Sequence, residues 1–82
     1  MQVKLRLLLA DLEVPATACT IELEESSTIE DALTAYRGEY PFEDPNGLFL
    51  ESMFIVDQNP ASLETVLNDQ DELLVMRILG GG

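Results

Sequence analysis

The residues with the clearest chemical potential are the last three, Gly80, Gly81 and Gly82, which account for three of the five glycines in this 82-residue sequence. A backbone without side chains can thread a narrow channel, adopt angles closed to other residues and present an unhindered carboxylate. The chemistry such an end supports is acyl activation, with the Gly82 carboxylate offered to the α-phosphate of ATP on a partner enzyme. Glycine alone fits a frayed terminus equally well, so the neighbouring residues have to decide. Three extended residues span only about 10 Å, and ordering them costs about 1–2 kcal/mol each. The domain itself must therefore dock close to the partner's nucleotide site and supply the offsetting contacts.

Other chemistry finds few supports. Histidine is absent and Cys19 is the only cysteine, which removes the commonest general base and rules out an intrachain disulfide, a zinc ribbon or a multi-thiolate cluster. Cys19 falls on the inward-facing set of its strand, where a free cysteine serves as a small hydrophobe. Asp69, Asp71 and Glu72 lack the ligand spacing and central glycine of a calcium loop, and they read as a solvated turn. No metal site is expected, and a stand-alone enzyme is the least supported reading, for want of a paired nucleophile or a phosphate-cradling loop.

Sixteen Asp and Glu stand against four Lys and Arg, a net charge of −12. That balance disfavours nucleic acid and anionic membrane and favours a partner with a basic docking surface. Glu13, Glu22, Glu24 and Glu25 read as a solvated acidic rim that also speeds such docking. The apolar run within residues 1–10 is too short for a signal peptide or a membrane span, so the expected location is cytoplasmic.

The elements that must position the tail follow from periodicity. Val3, Leu5, Leu7 and Leu9 alternate with Gln2, Lys4, Arg6 and Leu8, the pattern of a strand with one buried face. A bend at residues 13–16 leads to a second strand carrying Cys19, Ile21 and Leu23. Ser27 with Glu30 makes a capping box, and Ile29, Ala32, Leu33 and Tyr36 follow at helical spacing, with Gly38 as the stop. A turn at Asp44, Pro45, Asn46 and Gly47 lies within a structured loop, residues 39–50. Met53–Val56 reads as a third strand ended by Asn59 and Pro60. Residues 61–67 are open between a short strand and a helical turn, and residues 73–79 form the last strand, running straight into the glycines. The order is that of an α+β domain of the β-grasp type, a mixed sheet of four to five strands with one main helix on one face, in residues 1–79, followed by a tail at 80–82. In it the first and last strands lie side by side at the sheet centre.

If Leu73 and Val75 face the core, then Leu74, Met76 and Ile78 fall on the helix-free face beside Leu8. They form an apolar stripe next to the tail that calls for a covering partner. The rival is dimer packing or a register shifted by one. Arg77, a lone cation near the tail, is offered either to an acidic partner group or to solvent.

From Ile55 onward a hydrophobic strand, Leu67, an Asp-x-Asp-Glu turn (Asp69, Asp71, Glu72), a second hydrophobic strand and a terminal diglycine follow in order. This set resembles the ubiquitin-like sulfur carriers, especially the molybdopterin-synthase small subunit and more loosely the thiamine sulfur carrier. The resemblance implies that an E1-like adenylyltransferase activates the Gly82 carboxylate with ATP and magnesium, which belong to that enzyme. A sulfur donor enzyme then forms a thiocarboxylate, and a sulfur-accepting synthase large subunit receives the sulfur. Gly81 completes the diglycine, and Gly80 is a further small residue of the tail. Family turns usually have Gly where this chain has Gln70, so this turn either avoids a positive φ or tolerates strain. Two other readings stay open: a protein modifier conjugated through Gly82, in a chain with the single lysine Lys4, and a noncatalytic interaction domain.

Overall fold

A computed structural model describes residues 1–77. Residues 78–82, and with them the expectations for Ile78, Gly80, Gly81, Gly82 and the boundary at 79/80, lie outside the described residues. The elements are β1 (Gln2–Leu9), β2 (Ala18–Glu22), α1 (Ile29–Glu39), a 3-10 turn (Phe49–Glu51), β3 (Met53–Val56), β4 (Asn59–Ala61) and β5 (Glu72–Arg77). The strands form one sheet in the order β2-β1-β5-β3-β4, with β1 and β5 parallel and the other neighbours antiparallel. The first and last strands do lie side by side, as their alternation requires, and β5 is the middle strand.

Period-two patterning sends Val3, Leu5, Leu7, Leu73 and Val75 to the face under the helix, where each is at most 1% exposed. The helix answers with Ile29, Ala32, Leu33 and Tyr36 at 3.6-residue spacing, all buried. Leu67, Phe49 and Phe54 close the ends of this core. Each buried Val, Leu, Ile or Phe side chain contributes about 1.5–3 kcal/mol by leaving water. The Tyr36 hydroxyl donates to the Ala16 carbonyl at 2.5 Å and accepts from the Ala16 N–H at 3.2 Å. Those two bonds pin the β1–β2 connection to the helix.

Several local readings are corrected. The helix starts one residue later than the Ser27–Glu30 box: Thr28 is the N-cap, and its hydroxyl and backbone N–H exchange bonds with Asp31. Ser27 instead donates its hydroxyl to the Glu24 carbonyl. Both pairs have capping chemistry, and the Thr28–Val66 bridge selects between them by fixing Thr28 in extended backbone. Gly38 lies within the helix, which ends at Glu39 with Tyr40 as its C-cap.

Asn59 and Pro60 do not end the sheet but begin β4, turned back through Asp57 and Gln58 at φ 51° and 69°. Two positive φ values between residues paired across a hairpin make a type I′ turn. The usual Asn-Gly signal is missing, which hides the hairpin in the sequence. Pro60 fits because β4 is an edge strand. Asp69 and Asp71 are more than a solvated turn: Asp71 is buried and its carboxylate accepts from the Asn68 N–H, while Asp69 accepts from the Gln2 N–H.

Gln70 adopts φ 71°, so of the two options for this turn the chain takes the strained one. Left-handed backbone costs an ordinary L residue about 1–2 kcal/mol, part of which glycine returns through its freer unfolded state. Gln70→Gly is therefore expected to stabilise the fold by about 0.5–1 kcal/mol, read as a higher midpoint in urea unfolding. An unchanged or lower midpoint contradicts the strain argument.

Candidate docking face and root of the C-terminal tail

Because Leu73 and Val75 point to the helix, Leu74 and Met76 point away from it, and the sheet register supplies their neighbours. Met76 lies between Leu8 of β1 and Met53 of β3, and Leu74 lies between Arg6 of β1 and Ile55 of β3, with Pro60 beyond Ile55. Leu8 is 50% exposed and Met53 56%, while Leu74, Met76 and Ile55 are half-buried. An open hollow of about 430 Å³ runs beside Leu8 and Met76, bounded by Ala10 and Arg77. The face is thus a contiguous apolar patch on the three central strands, ending at the last described residue before the tail.

The sequence reading placed Leu8, Leu74 and Met76 together, and the structure does bring them together. It missed Met53 and Ile55. Their signal was present: Phe54 is buried, so period two turns both of its neighbours outward, but four consecutive apolar residues in β3 mask the alternation.

Charge is distributed unevenly around this patch. On the strands of the helix-free face, Lys4 lies opposite Glu72 and Thr20, Arg6 lies beside Leu74, and Glu22 lies opposite Gln2. The strand positions of that face thus carry two cations and two anions, so the net charge of −12 belongs to the helix side, the turns and the strand ends. The excess acidic charge therefore lies around the apolar patch, not on its strand positions. Glu51 shares a hollow with Met53 and Met76, and Asp57 and Glu72 share one with Ile55 and Leu74, so carboxylates border the patch.

Arg77 has an intramolecular role. Its Nε donates to Asp11 Oδ1 at 2.9 Å and Oδ2 at 3.1 Å, and its Nη2 donates to Asp11 Oδ2 at 3.0 Å. Its Nη1 reaches the carbonyls of Leu48 and Glu51, each at 3.4 Å. The Arg77 carbonyl accepts from the Ala10 N–H at 3.0 Å, carrying the parallel ladder past the end of β1. These hydrogen bonds hold the Asp11 carboxyl below its ordinary range and push the Arg77 guanidinium up. The Gln2 N–H does the same to Asp69, lowering its pKa. Burial, then nearby Glu39, raises the Cys19 thiol, which leaves it protonated and poorly nucleophilic at neutral pH.

Two opposed effects of pH and salt follow. Self-repulsion among the acidic groups weakens the fold at low ionic strength, so raising NaCl from about 10 mM to 1 M, which shortens the screening length from about 30 Å to 3 Å, is expected to raise Tm by at least about 4 °C. Asp11 and Asp69 have depressed folded pKa values, so their stabilisation is present above the unfolded carboxylate value near 4 and is lost as pH falls through the folded values. Tm is expected to fall below about pH 4, and to fall less in a doubly substituted Asp11→Asn, Asp69→Asn chain. Calorimetry across salt and pH checks both; a salt-independent Tm contradicts the first.

Among the described residues no cluster of three or more His, Cys, Asp or Glu is arranged to hold a metal ion, and no described helix is long and apolar enough to cross a membrane. No family profile matches the chain, and no curated protein does. Solved structures do match. A crystal structure of SAMP1 from Haloferax volcanii superposes with a TM-score of 0.78 over 100% of both chains at 23% identity. A crystal structure of small archaeal modifier protein 1 from the same organism gives 0.71 over 90% of this chain and 93% of that chain at 26% identity. The fold is the ubiquitin-like β-grasp. Both matched structures are of a small archaeal modifier. Leu74 and Met76 lie on β5, whose last residue, Arg77, stands three positions before Gly80 in the sequence.

Proposed function

We propose that this protein is a ubiquitin-like carrier, activated at the carboxylate of Gly82 by an E1-like adenylyltransferase. The single observation that carries the reading is the continuity of the exposed patch of Leu8, Leu74 and Met76 with the strand that leads into three terminal glycines. In the activation step a carboxylate oxygen of Gly82 attacks the α-phosphorus of ATP and pyrophosphate leaves, giving an acyl-adenylate. ATP and magnesium are held by the partner. The β-grasp domain supplies docking through the patch, to which Met53 and Ile55 also contribute, with Ile78, Gly80 and Gly81 following in the sequence. Burying three or four of these side chains contributes about 1.5–3 kcal/mol each before association costs, enough to offset the ordering of a three-residue tail.

The adenylate has two fates. In the first reading a sulfur donor enzyme supplies the nucleophile, AMP leaves, and the resulting thiocarboxylate delivers sulfur to a synthase subunit making molybdopterin or a related cofactor. In the second the acyl group passes to the amine of a target lysine, the carbonyl–AMP bond breaks, AMP and a proton leave, and an isopeptide with Gly82 remains. The second is favoured by the likeness to a protein named as a small archaeal modifier. Intact-mass measurement of the protein from its native cell separates them: sulfur in place of one C-terminal oxygen supports the carrier, and larger covalent conjugates support the modifier. Neither species, under growth conditions where the gene is required, overturns both.

A further inference from the structure

The β1–β2 connection and the loop after α1 enclose an open groove of about 520 Å³, lined by Glu13, Val14, Pro15, Phe42, Glu43 and Pro45. Both walls are braced. The two bonds between Tyr36 and Ala16 hold the first. The second is held by Asp44, whose carboxylate accepts from the Leu48 and Phe49 N–H groups at 2.8 and 2.9 Å, and by Phe42, whose ring stands edge-on to Phe49 with centroids 5.1 Å apart. A groove formed before binding spares its occupant the cost of ordering it.

Charge selects the occupant. Val14 and Phe42 are half-buried against the core, whereas Glu13 and Glu43 are exposed. The four cations of the chain are engaged elsewhere. Arg77 pairs with Asp11, and Lys4 and Arg6 stand on the helix-free face. Arg37 donates to the Phe42 carbonyl at 3.2 Å, with its guanidinium 4.7 Å from the ring centre. Among the described residues no ion pair reaches Glu13 or Glu43, and two carboxylates are too few ligands to hold a metal ion.

We propose that this groove is a second docking site, for an extended segment of a partner protein that presents an arginine or lysine beside apolar residues. The aliphatic stem of such a side chain covers Val14 and Phe42 while its charged head reaches Glu13 or Glu43. A small molecule is disfavoured, because every buried side-chain polar atom among the described residues already has a partner and none is left to fix its orientation. Phe42 and Val14 pack on the core beneath the helix, whereas Leu8 and Met76 lie on the other face of the sheet. A segment in the groove therefore leaves the apolar patch free, and one domain can join two partners.

The test pans a phage library of random short peptides on the full chain, with counter-selection against the double variant Glu13→Gln, Glu43→Gln, and maps the selected peptides by amide NMR shifts. They are expected to carry Arg or Lys next to apolar residues, to shift Val14 and Glu43, and to lose affinity about 10-fold on the double variant. Added NaCl weakens them in the same direction. Both glutamates are exposed, so the double variant keeps its Tm within about 2 °C and the loss reports on binding. Met76→Asp leaves peptide affinity within about twofold, which makes the result independent of the patch and of activation at Gly82. Selected peptides without a cation, equal binding to the double variant, shifts centred on Leu8 and Met76, or no selected peptide at all overturn the proposal.

Discussion

A chain ending at Gly81 is expected to lose adenylation by at least about 100-fold while keeping its Tm within about 1 °C. The two expectations belong together. The core lies within residues 1–77, where Val3, Leu5, Leu73 and Val75 are buried beneath the helix, so removing one terminal glycine changes no buried contact among them. The same deletion withdraws the reacting carboxylate by about 3.5 Å, more than the tolerance for in-line attack on a phosphorus held by another protein. Gly81 still ends in a carboxylate, so a loss of this size reports on reach and placement, not on the presence of an acid. Circular dichroism melting with ATP–pyrophosphate exchange checks both halves. Normal exchange, or normal growth where the intact gene is needed, removes the basis for a terminal acyl chemistry altogether.

How far this was legible in the sequence depends on the kind of signal. Binary patterning is local and strong, so β1, β2, the helix, β3 and β5 are all readable, and the pairing of Leu8 with Met76 follows once β1 and β5 are placed in parallel. Turn chemistry is weaker where the residue types are atypical. Asp57, Gln58 and Gln70 all take positive φ without being glycine, so the β3–β4 hairpin was invisible and the strain at Gln70 stood as one of two options. The Asp11 contact of Arg77 is long-range and depends on where a turn lands, which no periodicity encodes. The acidic composition favours a partner of opposite charge, yet only the register of β1 against β2 and β5 shows that the strand positions of the open face carry as many cations, Lys4 and Arg6, as anions, Glu22 and Glu72.

That neutrality shapes the second large expectation, a loss of partner affinity of about 100-fold or more on Met76→Asp. Met76 stands between Leu8 and Met53 at the middle of the patch, where a partner must exclude water. Substitution forfeits about 1.5–3 kcal/mol of apolar burial and obliges the complex to bury an unpaired carboxylate, which costs a similar or larger amount. Together these exceed the roughly 2.7 kcal/mol that a 100-fold change in Kd requires. The fold should persist because Met76 faces away from the helix and is only half-buried in the free protein, outside the core beneath the helix. Thr34→Asp, exposed on α1, adds the same charge on the far side and is expected to leave affinity within about twofold, which separates local docking from the general field of an already acidic chain. Isothermal titration against the activating enzyme, with and without residues 80–82, then apportions binding between domain and tail. Retention of wild-type affinity by Met76→Asp would place the partner on another face and detach the patch from the glycines that follow it. Size-exclusion chromatography of the free protein addresses the remaining occupant: if Met76→Asp converts a dimer into a monomer, the patch is covered by a second copy of the chain, and the tail must be recognised without it.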